Sequence, residues 1–114
     1  MQAGGQWRVV LYETSSGRQP VEEFIASLDR PTYAKTLRGL ELLRDNGPDL
    51  GMPHSKRLDR NLAELRIRGK IDLRLIYVVR DRVIYVLHGF IKKSQQLPMR
   101  ELRTARARLE DVKR

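Results

Sequence analysis

No cysteine occurs among the 114 residues. Disulfides, thiolate-held metals and cysteine nucleophiles are therefore excluded, and a reducing compartment fits the composition. Histidine is almost as scarce: His54 and His88 are the only two, too few to build an ordinary zinc site without cysteine. No apolar run approaches the ~18–20 residues that cross a bilayer. The opening Met1–Gly5 lacks the basic-then-apolar order of a secretory leader. Neither a glycine-rich phosphate loop nor a serine placed in a nucleophile motif is present. The expectation is a cytoplasmic, single-domain protein over residues 1–114, without membrane contact, metal or cofactor.

Acidic residues are short in one half only. Residues 1–53 carry 6 Lys/Arg against 7 Asp/Glu, whereas residues 54–114 carry 17 against 7, so the whole net charge of +9 comes from the second half. A field of that sign and placement attracts a polyanion, nucleic acid before an acidic protein or an anionic membrane.

In chain order, Trp7–Tyr12 is a short β-rich run closed by a turn-forming stretch. Pro20 suits a first helical turn, and Val21, Phe24, Ile25 and Leu28 follow at helical spacing. Asp29 is a candidate cap for a second helix, with Tyr33, Leu37, Leu40 and Leu43 or Arg44 as its stripe, ending at Asn46-Gly47-Pro48. Residues 49–61 read as a loop that holds His54, Lys56 and Arg57. Beyond Pro98 a last helix places Met99, Leu102, Ala105, Leu109 and Val112 on one side, with Arg106 and Glu110 spaced to pair.

Between them lies a stretch where arginines recur among aliphatic residues, which costs free energy beside a core unless each is paired or faces an anion. Alternation puts Leu65 and Ile67 on one face and Glu64, Arg66 and Arg68 on the other; in the next run Leu73, Leu75 and Tyr77 oppose Asp72, Arg74 and Ile76. A three-residue turn over Gly69–Ile71 sets Leu65 against Leu75 and Arg66 against Arg74. A similar turn over Arg80–Arg82 sets Tyr77 against Tyr85 and Arg74 against His88. The expected product is a transverse row, Arg66–Arg74–His88, across three strands. Two opposed arginines repel unless Glu64 or a ligand anion sits between them. The helical hairpin is expected to cover the other face and leave this one open.

Arg66, Arg74, His88, Lys92, Lys93, His54, Glu64, Tyr77 and Tyr85 form an acid–base and electrostatic inventory suited to metal-free RNA cleavage. In that reaction a 2′-hydroxyl attacks its own phosphate. It requires a base, cations around the phosphorane charge and an acid for the departing 5′ oxygen. Guanidinium groups, planar and always charged, serve the second need. Ordinary pairing of Arg66 with Glu64 or Asp72, and a hydrogen-bonded strand role for His88, are the competing structural readings.

Asn61–Arg66, then Leu73–Tyr77, then the run Val86–Pro98 (Val-Leu-His-Gly-Phe-Ile-Lys-Lys-Ser-Gln-Gln-Leu-Pro) and a helix with Glu101 and Ala105 resemble the RelE/ParE toxin superfamily. The resemblance is closest to its HigB-like, phage-derived branch and spans nearly the whole chain. It implies an α+β, RelE-like fold: an N-terminal strand, a helical hairpin, a three-stranded antiparallel meander and a C-terminal helix. It also implies the toxin of a type II toxin–antitoxin pair, an mRNA endonuclease acting on the ribosome and silenced by a cognate antitoxin, often a helix-turn-helix protein. On that reading Arg66, Arg74, Lys92 and His88 are catalytic, and Lys93, His54, Lys56 and Arg57 bind RNA. Ala63 stands where relatives often carry an aromatic residue. The alternatives are a non-enzymatic, ParE-like gyrase inhibitor and a degenerate toxin that only partners its antitoxin.

Overall fold

The computed structural model describes residues 7–113. Its elements are β1 (Arg8–Leu11), α1 (Pro20–Ala26), α2 (Arg30–Asn46), a short 3-10 turn (Gly47–Asp49), β2 (Ser55–Arg57), β3 (Ala63–Ile67), β4 (Leu73–Arg80), β5 (Val83–Ile91) and α3 (Met99–Val112). The strands form one sheet in the order β1-β5-β4-β3-β2. β1 runs parallel to β5, and the other neighbours are antiparallel. The α+β fold expected from the sequence is therefore present, with one strand more than expected.

The added strand is β2, inside the stretch read as a loop. Ser-Lys-Arg has no apolar alternation, and only its neighbours make it a strand. Arg66 N–H donates to the His54 carbonyl at 2.8 Å, and the buried hydroxyls of Ser55 and Tyr77 bond to each other. Burying hydroxyls as a pair avoids the ~1–3 kcal/mol that an unpaired polar group costs.

α2 is rotated relative to the stripe its apolar residues suggest. It buries Thr32, Thr36 and Leu43, while Tyr33 and Leu37 are 40% and 41% exposed. Gly39 accounts for the rotation: a Cβ there would lie 2.5 Å from Ile67 Cδ1, so β3 is approached along the helix's small-residue side. Thr36 satisfies its hydroxyl on the Thr32 carbonyl at 2.8 Å. Asp29 occupies the N-cap position of α2 but makes no side-chain capping bond.

The β3–β4 register is the expected one, with Leu65 opposite Leu75 and Arg66 opposite Arg74. The β4–β5 turn is tighter than expected. Arg80 pairs with Val83 across Asp81-Arg82, whose φ angles are +51 and +66, the signature of a hairpin turn with both central residues left-handed. An even-length turn inverts the faces that the odd one would align. A bulge restores them: Tyr77 pairs with Val86, then Ile76 with His88, leaving Leu87 unopposed. Tyr77 therefore does not oppose Tyr85, and Arg74 opposes Phe90 rather than His88.

Both sheet faces are covered to different extents. α1 and α2 lie on the face of Leu65, Ile67, Leu75 and Gly89, where Cβ atoms at Gly39 and Gly89 would strike Ile67 and Phe24. α3 lies on the other face, where Glu101 meets His88. The second face is thus not wholly open as expected: α3 covers its β5 side, and the Arg66–Arg74 end borders a cleft. Leu65, Leu75, Ile76, Ile84 and Leu87 are fully buried within the sheet. No helix among the described residues is long and apolar enough to cross a membrane.

Candidate functional site

The cross-strand pair Arg66–Arg74 anchors the site. Glu64, two residues before Arg66 and hence on the same face, inserts its carboxylate between them: Oε2 accepts from Arg66 Nε at 3.1 Å, and Oε1 lies 3.6 Å from Arg74 Nε. Arg74 is almost fully buried, and burial lowers its pKa while the Glu64 charge acts against that shift. The two guanidinium groups open onto a cleft of about 530 Å³ that Arg68, Lys92 and Lys93 also line, with Asp72 its one acidic wall residue. So many cations around one small opening suit a phosphoryl group.

The β5–α3 connection closes one side of this cleft. Lys92 N–H donates to the Asp72 carbonyl at 2.9 Å, continuing the β4–β5 pairing. Its ammonium donates to the carbonyls of Ser94 and Gln96. Lys92 thus shapes the loop, whereas Lys93 is exposed at the cleft wall. On the opposite side, His54 is exposed and joined through its carbonyl to Arg66, and Arg66 Nη1 approaches Met52 Sδ at 3.9 Å. Lys56 pairs in register with Glu64 and so shares the arginine face; Arg57 pairs with Ala63 and takes the other, donating to the Arg60 carbonyl at 3.3 Å.

His88 is engaged elsewhere. Its Nε2 lies 2.6 Å from Glu101 Oε1, and Arg108 Nη1 lies 3.3 Å from Nδ1. Arginine has no acceptor, so Nδ1 accepts and the proton on Nε2 is donated to Glu101. Arg108 also donates to the Leu87 carbonyl at 2.9 Å and stacks over Tyr12, whose hydroxyl bonds Asp111. That bond, helped by burial, raises the Tyr12 pKa. His88 therefore belongs to the docking of α3 and does not line the arginine cleft.

A larger cleft, about 610 Å³, runs past Met52, Arg57, Arg60, Ala63, Tyr77 and Leu109. Its lining is aliphatic as much as polar and holds no opposed cations gripped by a carboxylate, so the smaller cleft is the better site for phosphate chemistry. Among the described residues no group of three or more His, Asp and Glu could hold a metal ion. The expected arginine pair is brought together, together with Lys92 and Lys93. Arg68 and Asp72 are additional wall residues. Alternation already put Arg68 on the arginine face, but only the loop geometry shows that it reaches the opening.

Residues 23–110 match the family model described as "Phage derived protein Gp49-like (DUF891)", a span that runs from α1 into α3 and contains every cleft residue. A search of the curated proteins finds no match.

Proposed function

The chain belongs to the phage-derived Gp49-like family, and from that premise we propose that it is the cytoplasmic toxin of a type II toxin–antitoxin pair, an endonuclease of ribosome-bound mRNA. The observation that carries this reading is the opposed pair Arg66–Arg74, held around Glu64 at the mouth of a cation-lined cleft. Two like charges are kept opposite each other at an electrostatic cost, and the chemistry that uses them best is stabilisation of a dianionic phosphorane.

In the proposed reaction the 2′-oxygen attacks the adjacent phosphorus and loses its proton to a base. The P–O5′ bond then breaks and the 5′ oxygen takes up a proton. The products are a 2′,3′-cyclic phosphate and a 5′-hydroxyl. Arg66 and Arg74 stabilise the phosphorane oxygens as its charge develops. Lys93 and Arg68 hold flanking phosphates, and Lys92 orders the wall that guides the strand. Lys56 extends the positive surface on the β2 side, beside His54. A cognate antitoxin silences the protein.

Expression without an antitoxin is expected to halt growth and leave mRNAs cut within codons. Arg74→Ala should abolish both effects in a protein that still melts cooperatively. A folded Arg74→Ala variant with full toxicity would refute the assigned centre.

A further inference from the structure

Among the described residues of the basic half Glu64 is the most deeply buried charged group, and phosphate cleavage does not itself call for it. It is 3% exposed, a position where a carboxylate lacking compensation costs several kcal/mol. Its compensation is uneven. Oε2 accepts a hydrogen bond from Arg66 Nε, whereas Oε1 and Arg74 Nε face each other at 3.6 Å and neither has a hydrogen-bond partner. Arg66 is held by a bond; Arg74 is held by charge.

The other guanidinium nitrogens complete the pattern. Arg74 Nη1 donates to the Leu73 carbonyl at 3.3 Å, and Arg66 Nη1 reaches Met52 Sδ. Among the described residues neither Nη2 has an acceptor, and both side chains line the cleft. Each guanidinium is thus fixed along its Nε and Nη1 edges, with one amino group left for a ligand.

We propose that Glu64 is a positioning residue and internal counter-ion, which fixes the Nε edges of Arg66 and Arg74 so that both present Nη2 to one phosphoryl group. The proposal rests on the ribonuclease reading and adds a trade to it. Glu64 cancels part of the positive charge that attracts RNA in the ground state, while the geometry it imposes is used in the transition state. Only interactions that strengthen on the way to the transition state raise kcat. A group that lowers affinity and raises turnover is consistent with that rule.

The trade gives effects of opposite sign. Glu64→Gln keeps the shape and removes the charge; Glu64→Asp keeps the charge and shortens the reach. Two quantities are measured: affinity for an all-deoxy oligonucleotide, which has phosphates but no attacking hydroxyl, and kcat on ribosome-bound mRNA. Glu64→Gln is expected to bind the oligonucleotide several-fold tighter, with a kcat lower by about 10²-fold, the scale of a misplaced catalytic group. Glu64→Asp is expected to bind as the parent does and to lose kcat. A purely structural role would lower the melting temperature without raising affinity.

Parental kcat in Glu64→Gln, or affinity no tighter than the parent's, overturns the proposal. If Glu64→Gln does not fold, Glu64→Asp decides, and a parental kcat there overturns it. If the parent protein cleaves no ribosome-bound mRNA, the ribonuclease reading falls by itself. The counter-ion is then judged by oligonucleotide affinity and by the Nε–H resonance of Arg66, slow to exchange in the parent and fast in Glu64→Gln. Unchanged exchange and affinity overturn it.

Discussion

At the scale of single residues, the difference between arginine and any other cation decides the outcome. A lysine at position 74 would keep the charge but lose the planar fork that reaches both Glu64 and the Leu73 carbonyl. Arg74→Ala is expected to lower kcat by about 10²–10³-fold, the loss seen when one transition-state donor is removed, and Arg74→Lys should recover only a small part of it. Single-turnover cleavage of ribosome-bound mRNA separates these outcomes, and recovery to near-parental rates by lysine would show that charge alone suffices. His88 leads to a contrasting expectation. It ties α3 to β5 through Glu101 and Arg108, so His88→Ala should lower stability by about 1.5–3 kcal/mol, the range for a charge-assisted hydrogen bond. Its kcat, measured well below the melting temperature, should stay near the parent's. A large kcat loss in a stable His88→Ala protein would return that residue to the chemistry.

At the scale of elements, close packing and loop ties hold the cleft walls. β5 passes under α1 at Gly89, where an added Cβ would come within 2.7 Å of Phe24 and 2.8 Å of Leu75. Gly89→Ala is therefore expected to destabilise by about 1–3 kcal/mol through overpacking, read as a lower denaturant midpoint. The β2–β3 turn is joined to α3 by Asp59 and Arg106 at 2.8 Å, in place of the Arg106–Glu110 pair that helical spacing suggests. The bond from Arg106 holds the Asp59 carboxyl below its ordinary range. A depressed folded value means that the tie contributes fully above the unfolded carboxylate value of about 3.9 and is lost as pH falls through the lowered one. Acid titration should narrow the gap in stability between the parent and Asp59→Asn; a gap constant down to full protonation would contradict the tie.

The elements also show how much could be read from the sequence. Period-two alternation located β3, β4 and β5, and the even-odd logic of turns gave the Arg66–Arg74 pair. The same logic failed at β4–β5 because two departures cancelled: a two-residue turn inverted the faces and a bulge at Leu87 inverted them back. Parity can be read from a sequence, but a compensated parity change cannot. β2 was hidden for a different reason. Ser55–Arg57 carries no strand pattern of its own and is a strand because β3 offers it an edge and Tyr77 a hydroxyl. The true face of α2 was marked by Gly39, a residue without hydrophobicity, so counting apolar side chains selected the exposed Tyr33 and Leu37 instead. Glu64 was legible as a charge that could sit between two arginines; its burial and its grip on both Nε edges required the fold.

At the scale of the whole molecule, the charge asymmetry joins fold and proposed function. The excess positive charge belongs to the half that contributes β2 to β5 and α3, and the cleft lies within it. Binding to single-stranded RNA through Arg66, Arg68, Arg74 and Lys93 should weaken with salt, the logarithm of affinity falling with a slope of about −0.7 per phosphate neutralised. A slope near zero would assign recognition to something other than these cations.

The chemistry of the cut ends tests the central claim most directly. Ribosome-bound mRNA is incubated with the purified protein, and the new termini are identified. The arginine-stabilised attack of the 2′-hydroxyl predicts 2′,3′-cyclic phosphate and 5′-hydroxyl ends. Termini carrying 3′-hydroxyl and 5′-phosphate groups would contradict it.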